Sequence, residues 1–185
     1  MKTDKLNEKF KKATKAQKRV MIAQDVLAQI KTKRYIVESG CWIDTNINAA
    51  CEKNLKDEDS VQELFAEKKI ESCNVCALGG LFMSCTNFNN NTSFVELNDA
   101  SGHLGDWISE GEEFSNKLNK IFSYKQLRSI ESYFENNDGY FYNQREFDGI
   151  KAFCNAYPSE KKRLKLIMEN IVENNGTFVP EKLKI

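Results

Sequence analysis

The feature that most constrains this chain is a helical spacing of apolar residues that recurs along most of its length. Residues 16–31 carry apolar side chains three and four positions apart, at Val20, Ala23, Leu27 and Ile30. This spacing is typical of an amphipathic helix with one face on a core. Segments that begin near residues 60, 111, 123, 147 and 159 show the same spacing. The chain is therefore predicted to be mainly α.

Capping residues mark where several of these helices begin and end. Ser60 with Glu63, and Ser123 with Gln126, have the spacing of a capping box, in which each residue satisfies a backbone N–H of the other. Ser159 is expected to cap the last helix, and Asn174-Asn175-Gly176 is expected to end it in the left-handed conformation.

One stretch departs from the helical spacing. Residues 35–44 are rich in β-forming side chains around Ser39-Gly40, which predicts a short hairpin. The fold class predicted is mainly α, with six to seven helices and a small β-hairpin in a single compact domain. That domain is expected to span residues 15–185, after a basic, flexible N-terminal arm of residues 1–14.

The charge is unevenly distributed, although 27 basic and 27 acidic residues give a net charge of zero. Residues 1–34 hold eleven Lys/Arg and three Asp/Glu, so this segment is +8 and the remainder is −8. A basic segment of this kind could bind a phosphate backbone. The candidates for a nucleic-acid interface are Lys11, Lys12, Lys15, Lys18 and Arg19. The alternative is a solvated segment that complements the acidic remainder of the chain.

Composition narrows the class of protein. No stretch approaches the roughly 18 apolar residues that a membrane span needs, so we expect a soluble cytoplasmic protein without a membrane partner. The six cysteines are expected to be reduced thiols. The oligomeric state is left open, a homo-oligomer included.

Residues 71–85, ESCNVCALGGLFMSC, combine three cysteines with one of the most apolar runs of the chain. Cys73-x-x-Cys76 is half of a zinc motif. If the segment is helical, however, Cys85 lies roughly 18 Å from Cys73, too far to share a tetrahedral ion. No metal and no cofactor are therefore expected.

Two other interpretations of this segment remain. A thiol in the first turn of a helix has a lowered pKa, so Cys73 with His103 as base would make a cysteine hydrolase. Alternatively, the small residues form a stripe that lets a neighbouring element or ligand approach closely. That close-packing stripe consists of Cys76, Ala77, Gly80 and Ser84.

The start of the same predicted helix is also a candidate ligand site. Free N–H groups at a helix start bind phosphate without needing a motif. The ligand-binding candidates are Ser72, Cys73, Asn74 and Val75 for a phosphate, with Trp42 or Tyr35 to stack a base.

Three fragments also resemble a known group of proteins: DVLAQI at 25–30, CNVCALGGLFMS at 73–84 and IMENIVENNGTFVP at 167–180. They are similar to a widespread, largely uncharacterised family of small phage and prophage proteins with a C-x-V-C-A-L-G helix and an I-M-x-N-I-x-x-N-x-G-T-F-x-P ending. No catalytic residue comes with this resemblance.

The resemblance implies a phage protein that acts in the host cytosol. The first functional hypothesis is a non-enzymatic host-modulating or anti-defence protein that binds a host defence protein or sequesters a nucleotide second messenger. The alternatives are a nucleic-acid-associated protein that uses the basic N-terminal segment and the cysteine hydrolase based on Cys73 and His103.

Overall fold

The computed structural model describes residues 2–49, 55–56, 58–89, 92–93, 117–136 and 144–183. These residues include seven α-helices, three β-strands and one short 3-10 helix. In chain order the elements are α1 (Lys2–Lys12), α2 (Lys15–Lys31), β1 (Tyr35–Val37), β2 (Ile43–Ile47), α3 (Val61–Ala66), β3 (Ile70–Val75), α4 (Ala77–Asn89), α5 (Tyr124–Glu135), α6 (Gln144–Ala156), α7 (Glu160–Glu173) and the 3-10 helix (Pro180–Lys182). The predicted mainly α class with a small β element is confirmed. None of the helices in the described ranges is long and apolar enough to span a membrane.

The three strands form one sheet in the order β1-β3-β2. β3 is parallel to β1 and antiparallel to β2. It therefore lies between β1 and β2, the two strands that were predicted to pair with each other. The predicted hairpin is therefore wrong, although the chain does turn there and Gly40 has a φ of 71°. The β-forming residues were located correctly from their composition. Their partner comes from later in the chain, where no local signal indicates the pairing.

Capping chemistry sets the boundaries of three helices. The predicted box of Ser123 and Gln126 is present at the start of α5, and a second one, formed by Thr14 and Gln17, starts α2. The Ser159 side chain caps α7, and Gly176 adopts a φ of 86° after its end, as predicted. The box predicted at Ser60 is wrong, because the Ser60 side chain makes no capping bond to α3.

The N-terminal segment does not form the predicted flexible arm, because Lys2–Lys12 is helix α1. Phe10 is only 1% exposed, and its ring stacks on that of Phe88 in α4 with centroids 4.6 Å apart. Burying a phenylalanine contributes about 1.5–3 kcal/mol. One aromatic side chain therefore anchors an otherwise charged segment to the core.

Residues 70–89 contain a strand followed by a helix, so the single helix predicted from residue 71 to about residue 86 is wrong. β3 ends at Val75, and α4 begins only two residues later at Ala77. Between them, the Cys76 N–H donates to the Cys41 carbonyl oxygen at 2.7 Å, which continues the bonding of the sheet to the helix start. Periodicity alone cannot separate strand from helix in so continuous an apolar run.

The closest approach to α4 is at Gly79. A Cβ at this position would lie 1.8 Å from the Trp42 carbonyl oxygen, whereas a Cβ at Gly80 would meet only side chains, the nearest at 3.7 Å. The close backbone contact predicted for Gly80 therefore belongs to its neighbour. The proposed stripe itself is buried, at Cys76, Ala77, Gly80 and Ser84.

Two buried polar side chains of α7 hold the C-terminal third together. The Arg163 guanidinium donates to backbone carbonyls at the ends of α5 and α6, those of Phe134, Tyr157 and Pro158. The Asn170 amide accepts the N–H of Val179 at 2.8 Å and donates to the carbonyl of the same residue at 3.0 Å. Arg163 thus satisfies carbonyls at two helix ends, and Asn170 fixes the backbone of the C-terminal turn at Val179.

The two glycines of α4 give a matched test of this packing. We expect Gly79→Ala to lower the free energy of unfolding by about 1–3 kcal/mol or more, because the methyl group must displace backbone. Gly80→Ala should change it by no more than about 1 kcal/mol, since a methyl group fits there and alanine favours the helix. Urea unfolding followed by circular dichroism measures both. Equal losses in the two variants would contradict the assignment of the close contact to Gly79.

Candidate functional site

The residues predicted to offer free N–H groups lie instead on the central strand of the sheet. Ser72, Cys73, Asn74 and Val75 belong to β3, which is paired on both sides. The N–H of Cys73, for example, donates to the Arg34 carbonyl oxygen at 2.8 Å. The predicted anion site at a helix start is therefore wrong, since these backbone groups are bonded within the sheet.

Tyr35 and Trp42, the predicted stacking residues, are core side chains that are each 3% exposed. The Tyr35 hydroxyl lies 3.3 Å from the Ser84 hydroxyl and accepts from the Asn87 amide at 3.4 Å. The Trp42 ring packs against Phe82 with centroids 5.8 Å apart. Neither ring offers a face to a ligand in solution.

Cys73 is also unsuited to the proposed nucleophilic role. Its side chain is fully buried, and burial, with a smaller contribution from the Asp44 carboxylate, raises the pKa of its thiol to about 12. The predicted first-turn position that would lower this pKa does not exist, because Cys73 lies on β3. His103, the predicted base, is outside the described residues.

The five basic residues proposed for nucleic acid have different surroundings. Lys11 forms an exposed ion pair with Glu8. Lys12 borders a groove of about 580 Å³ between α1 and α2. The Arg19 guanidinium is used in hydrogen bonds within the protein, since it donates to the backbone carbonyls of Gly176 and Ile121. Lys15 and Lys18 line a separate cavity.

That cavity, here called the lysine cavity, has a volume of about 340 Å³. Two lysines come from α2 and two from the segment just before α5: Lys15, Lys18, Lys117 and Lys120. The other described lining residues are uncharged. They are two threonines and four apolar residues, here called the floor: Thr86 and Thr92, and Phe10, Phe82, Cys85 and Ile121. Among the described lining residues there is no carboxylate, so this part of the wall carries only positive charge.

Several contacts position these ammonium groups. Lys117 donates to the Thr92 hydroxyl at 3.1 Å, and the Lys18 ammonium lies 5.4 Å from the centre of the Phe10 ring. Lys15, Lys18 and Lys120 form no ion pair with any residue that the structure describes. The cavity therefore has the chemistry of an anion site over an apolar floor.

Two of the four lysines of this cavity were among the residues predicted from the sequence. They are Lys15 and Lys18, predicted as part of a nucleic-acid arm, whereas Lys117 and Lys120 were not predicted. The available signal was the spacing, because both pairs are three residues apart, as needed to share one side of a helical turn. About a hundred residues separate the pairs, and only the packing of α2 against the segment before α5 shows that they belong together.

A separate group of carboxylates lies beside the Ser39-Gly40 turn. Glu135 accepts the N–H of Gly40 at 2.9 Å, and Glu160 accepts the hydroxyl of Ser39. The pKa of Glu135 is raised to about 7, mainly by burial and less by Glu131 and Glu160, against the lowering effect of the Gly40 N–H. No group of three or more His, Cys, Asp or Glu side chains in the described ranges is arranged to hold a metal ion.

The three fragments that carry the family resemblance supply packing contacts. In the first, Val26 and Ile30 are buried. The second forms most of α4 and the end of β3. The third includes Gly176, where a Cβ would lie 2.3 Å from the Ala16 carbonyl oxygen of α2. The fragments thus supply contacts through which α2, α4 and the C-terminal turn pack together.

Comparison with protein-family models, with curated proteins and with solved structures finds no match to this chain. The similarity to phage and prophage proteins therefore stays a prediction from three short fragments.

Thiol labelling tests the structural role of Cys73. In the folded protein near neutral pH, we expect iodoacetamide to leave Cys73 unmodified, because the side chain is buried and its thiol is protonated. In urea, the same residue should be alkylated like any free thiol. Peptide mass mapping after each reaction gives the result. Equal rates of modification in the two states would contradict the burial of this thiol.

Glu135 should make stability depend on pH. Its pKa is raised from 4.5 to about 7 on folding, so the folded state binds more protons between these values. Stability from this group is therefore present below the lower value and is lost as the pH rises through the higher one. Relative to wild type, Glu135→Gln should flatten the fall in unfolding free energy across this window.

The matched control for this measurement is Glu173→Gln, which changes an exposed carboxylate on α7. Glutamine at position 135 can still accept the Gly40 N–H, so the turn should persist. Urea unfolding at a series of pH values compares the slopes. The same slope in wild type and in the Glu135 variant would rule out this carboxyl as the source.

Proposed function

We propose that this protein is a non-enzymatic binding protein that captures a phosphorylated nucleotide in the lysine cavity. In this proposal it is a phage-encoded host modulator or anti-defence protein that sequesters a nucleotide signal in the host cytosol. The observation that carries the proposal is the cavity lining, whose described residues bring four lysines together over buried apolar side chains. The phage context rests on the sequence resemblance.

Charge and dielectric both favour a phosphate ligand. A lysine ammonium acts on phosphate as a compact point charge with three donors. The floor residues Phe82 and Cys85 are almost completely buried, which keeps one side of the cavity apolar. An apolar wall lowers the local dielectric constant, so that the attraction between ammonium and phosphate is stronger than in bulk water.

The dimensions of the cavity indicate which part of a nucleotide enters it. Its 340 Å³ lies at the small end of ligand sites, which span about 300–1,000 Å³. The rings of Phe10 and Phe82 are buried and present no open face for stacking a base. The cavity therefore suits the phosphate and sugar portion, with the base directed outward. Such a site selects ligands by their phosphates more than by their base.

The two hydroxyl groups of the described lining are both used in hydrogen bonds within the protein, which is consistent with binding without turnover. The Thr86 hydroxyl donates to the Met83 carbonyl oxygen within α4 at 2.7 Å. The Thr92 hydroxyl accepts from Lys117. Both therefore serve the structure, and the lysines supply charge for holding a phosphate.

A nucleic-acid role remains the second candidate, because the basic surface extends past the lysine cavity. Lys9 and Lys12 border the neighbouring groove between α1 and α2, so basic side chains lie on both sides of the α1–α2 connection. The salt dependence of binding separates the two functions. Contacts to a phosphate backbone release many counterions, whereas a single nucleotide engages few.

The proposal predicts that nucleotides stabilise the protein against heat. We expect a thermal shift with mono- and dinucleotide phosphates, because a ligand at a hundred times its dissociation constant adds about 2.7 kcal/mol of stability. Lys18→Gln combined with Lys117→Gln should remove the shift. Mass spectrometry should recover the ligand unchanged, as binding without turnover requires.

The control is Lys161→Gln combined with Lys162→Gln, which removes two exposed lysines of α7 outside the cavity. This variant should keep the full shift. No shift with any nucleotide would refute the proposal, and conversion of the ligand would indicate an enzyme. If the immobilised protein captures a host protein in a pull-down and nucleotides have no effect on its stability, the protein-binding form of the hypothesis is favoured.

A further inference from the structure

We propose that the groove between α1 and α2 is a docking site for an acidic amphipathic helix of a partner protein. This groove, here called the α1–α2 groove, has a volume of about 580 Å³. It shares none of its described lining residues with the lysine cavity. The inference therefore goes beyond the proposed capture of a nucleotide and does not depend on it.

The bottom of the α1–α2 groove is apolar and partly open to solvent. Its side chains are Ala13, Ala16, Val20 and Met21, each of which is partly buried. Ala16 and Val20 are four residues apart and therefore lie on the same side of α2. The two small alanines leave room for a second helix to come close, and a methionine adapts to the shape of what packs on it. The apolar face of an amphipathic helix fits such a surface.

The length of the groove suits a helical partner. From Ala16 to Gln24 it follows α2 for about 12 Å, or roughly two helical turns. A helix that docks in a groove makes its contacts with apolar residues three, four and seven positions apart, which also span two turns. Two turns of a partner helix thus match the exposed stretch of α2.

The charge beside this apolar surface is positive. Residues 9–24 contain six basic residues and no Asp or Glu. Lys9 and Lys12 line the groove from α1, and both side chains are exposed. Neither lysine forms an ion pair with any residue that the structure describes. Carboxylates that flank the apolar stripe of a partner helix would complement them.

The acidic residues at the two ends of this segment do not provide that complement. Glu8 forms its ion pair with Lys11. The Asp25 carboxylate accepts hydrogen bonds from the side-chain amides of Gln29 and Asn87. The positive charge of Lys9 and Lys12 is therefore left for a partner.

The same surface is less suited to a nucleic acid. Bases of a single strand stack on open aromatic rings. The one aromatic residue of residues 9–24 is Phe10, and its ring is buried against Phe88. The remaining polar side chains of the described lining are the neutral Gln17, Gln24 and Asn175. An apolar surface with two lysines beside it favours a peptide.

Fluorescence anisotropy with two synthetic peptides tests this inference. Both peptides are cross-linked helices with leucines three and four residues apart on one face, and they carry either glutamate or lysine at the flanking positions. At low salt, we expect the acidic peptide to bind wild type about tenfold or more tightly than the basic one, because only the acidic peptide complements Lys9 and Lys12. Equal affinities, or tighter binding of the basic peptide, would overturn the proposal.

Two variants place the acidic peptide in the groove. K9Q/K12Q should weaken its binding about three- to tenfold, the value of two exposed ion pairs. V20E should abolish binding, because it puts a carboxylate opposite the leucines of the peptide. The control K161Q/K162Q removes two exposed lysines of α7 and should keep the wild-type affinity.

Circular dichroism establishes that each variant is folded. If V20E does not fold, K9Q/K12Q still decides the question, because both of its side chains are exposed. Unchanged affinity for the acidic peptide in K9Q/K12Q would overturn the docking site.

Two other occupants of the groove would give different results. If a single-stranded oligonucleotide displaces the acidic peptide and itself binds K9Q/K12Q more weakly, the groove belongs to a nucleic-acid surface and the proposal fails. If wild type sediments as a dimer that V20E converts to a monomer, a second copy of the chain covers the groove and the proposal also fails. The expected result is a groove that binds the acidic peptide and neither of these.

Discussion

The structure depends on the direct continuation of β3 into α4 and on the absence of a side chain at Gly79. This glycine lets the first turn of α4 rest against the backbone carbonyl of Trp42 beside β2. With α4 in this position, Phe88 stacks on Phe10 and holds α1, while Phe82 and Thr86 line the lysine cavity. One backbone contact thus positions both the sheet and the wall of the candidate site.

The reactivity expected of the cysteines depends on the backbone that carries them. A thiol at a helix start would be acidic and reactive, whereas the same thiol on a buried strand has no water to stabilise its charge. Cys73 and Cys76 are both buried, and the pKa of each is raised to about 12. Their place in the most apolar run of the chain follows from their behaviour as small hydrophobic side chains.

The basic residues near the N terminus also separate into different roles. Phe10 turns the segment into a docked helix, Arg19 joins three parts of the backbone, and Lys15 and Lys18 face a cavity with two distant lysines. The excess of positive charge in residues 1–34 is real. The role of this charge differs from residue to residue, because some basic side chains bond to the protein backbone and others line a cavity.

The sequence by itself determined the helical class, most helix positions and several of their ends. Those features depend on interactions within a few residues, such as the capping box at Ser123 and the left-handed stop at Gly176. The sequence also located the β-forming residues near Tyr35 and Ile43 and two of the four lysines.

Only the tertiary structure decided how these pieces combine. The placement of β3 between β1 and β2, the close contact at Gly79 and the meeting of two lysine pairs all join segments distant in the chain. Long-range pairings of this kind depend on shape complementarity and on the burial of whole elements, which local spacing does not encode. For that reason the helices could be predicted from the sequence, whereas the lysine cavity could not.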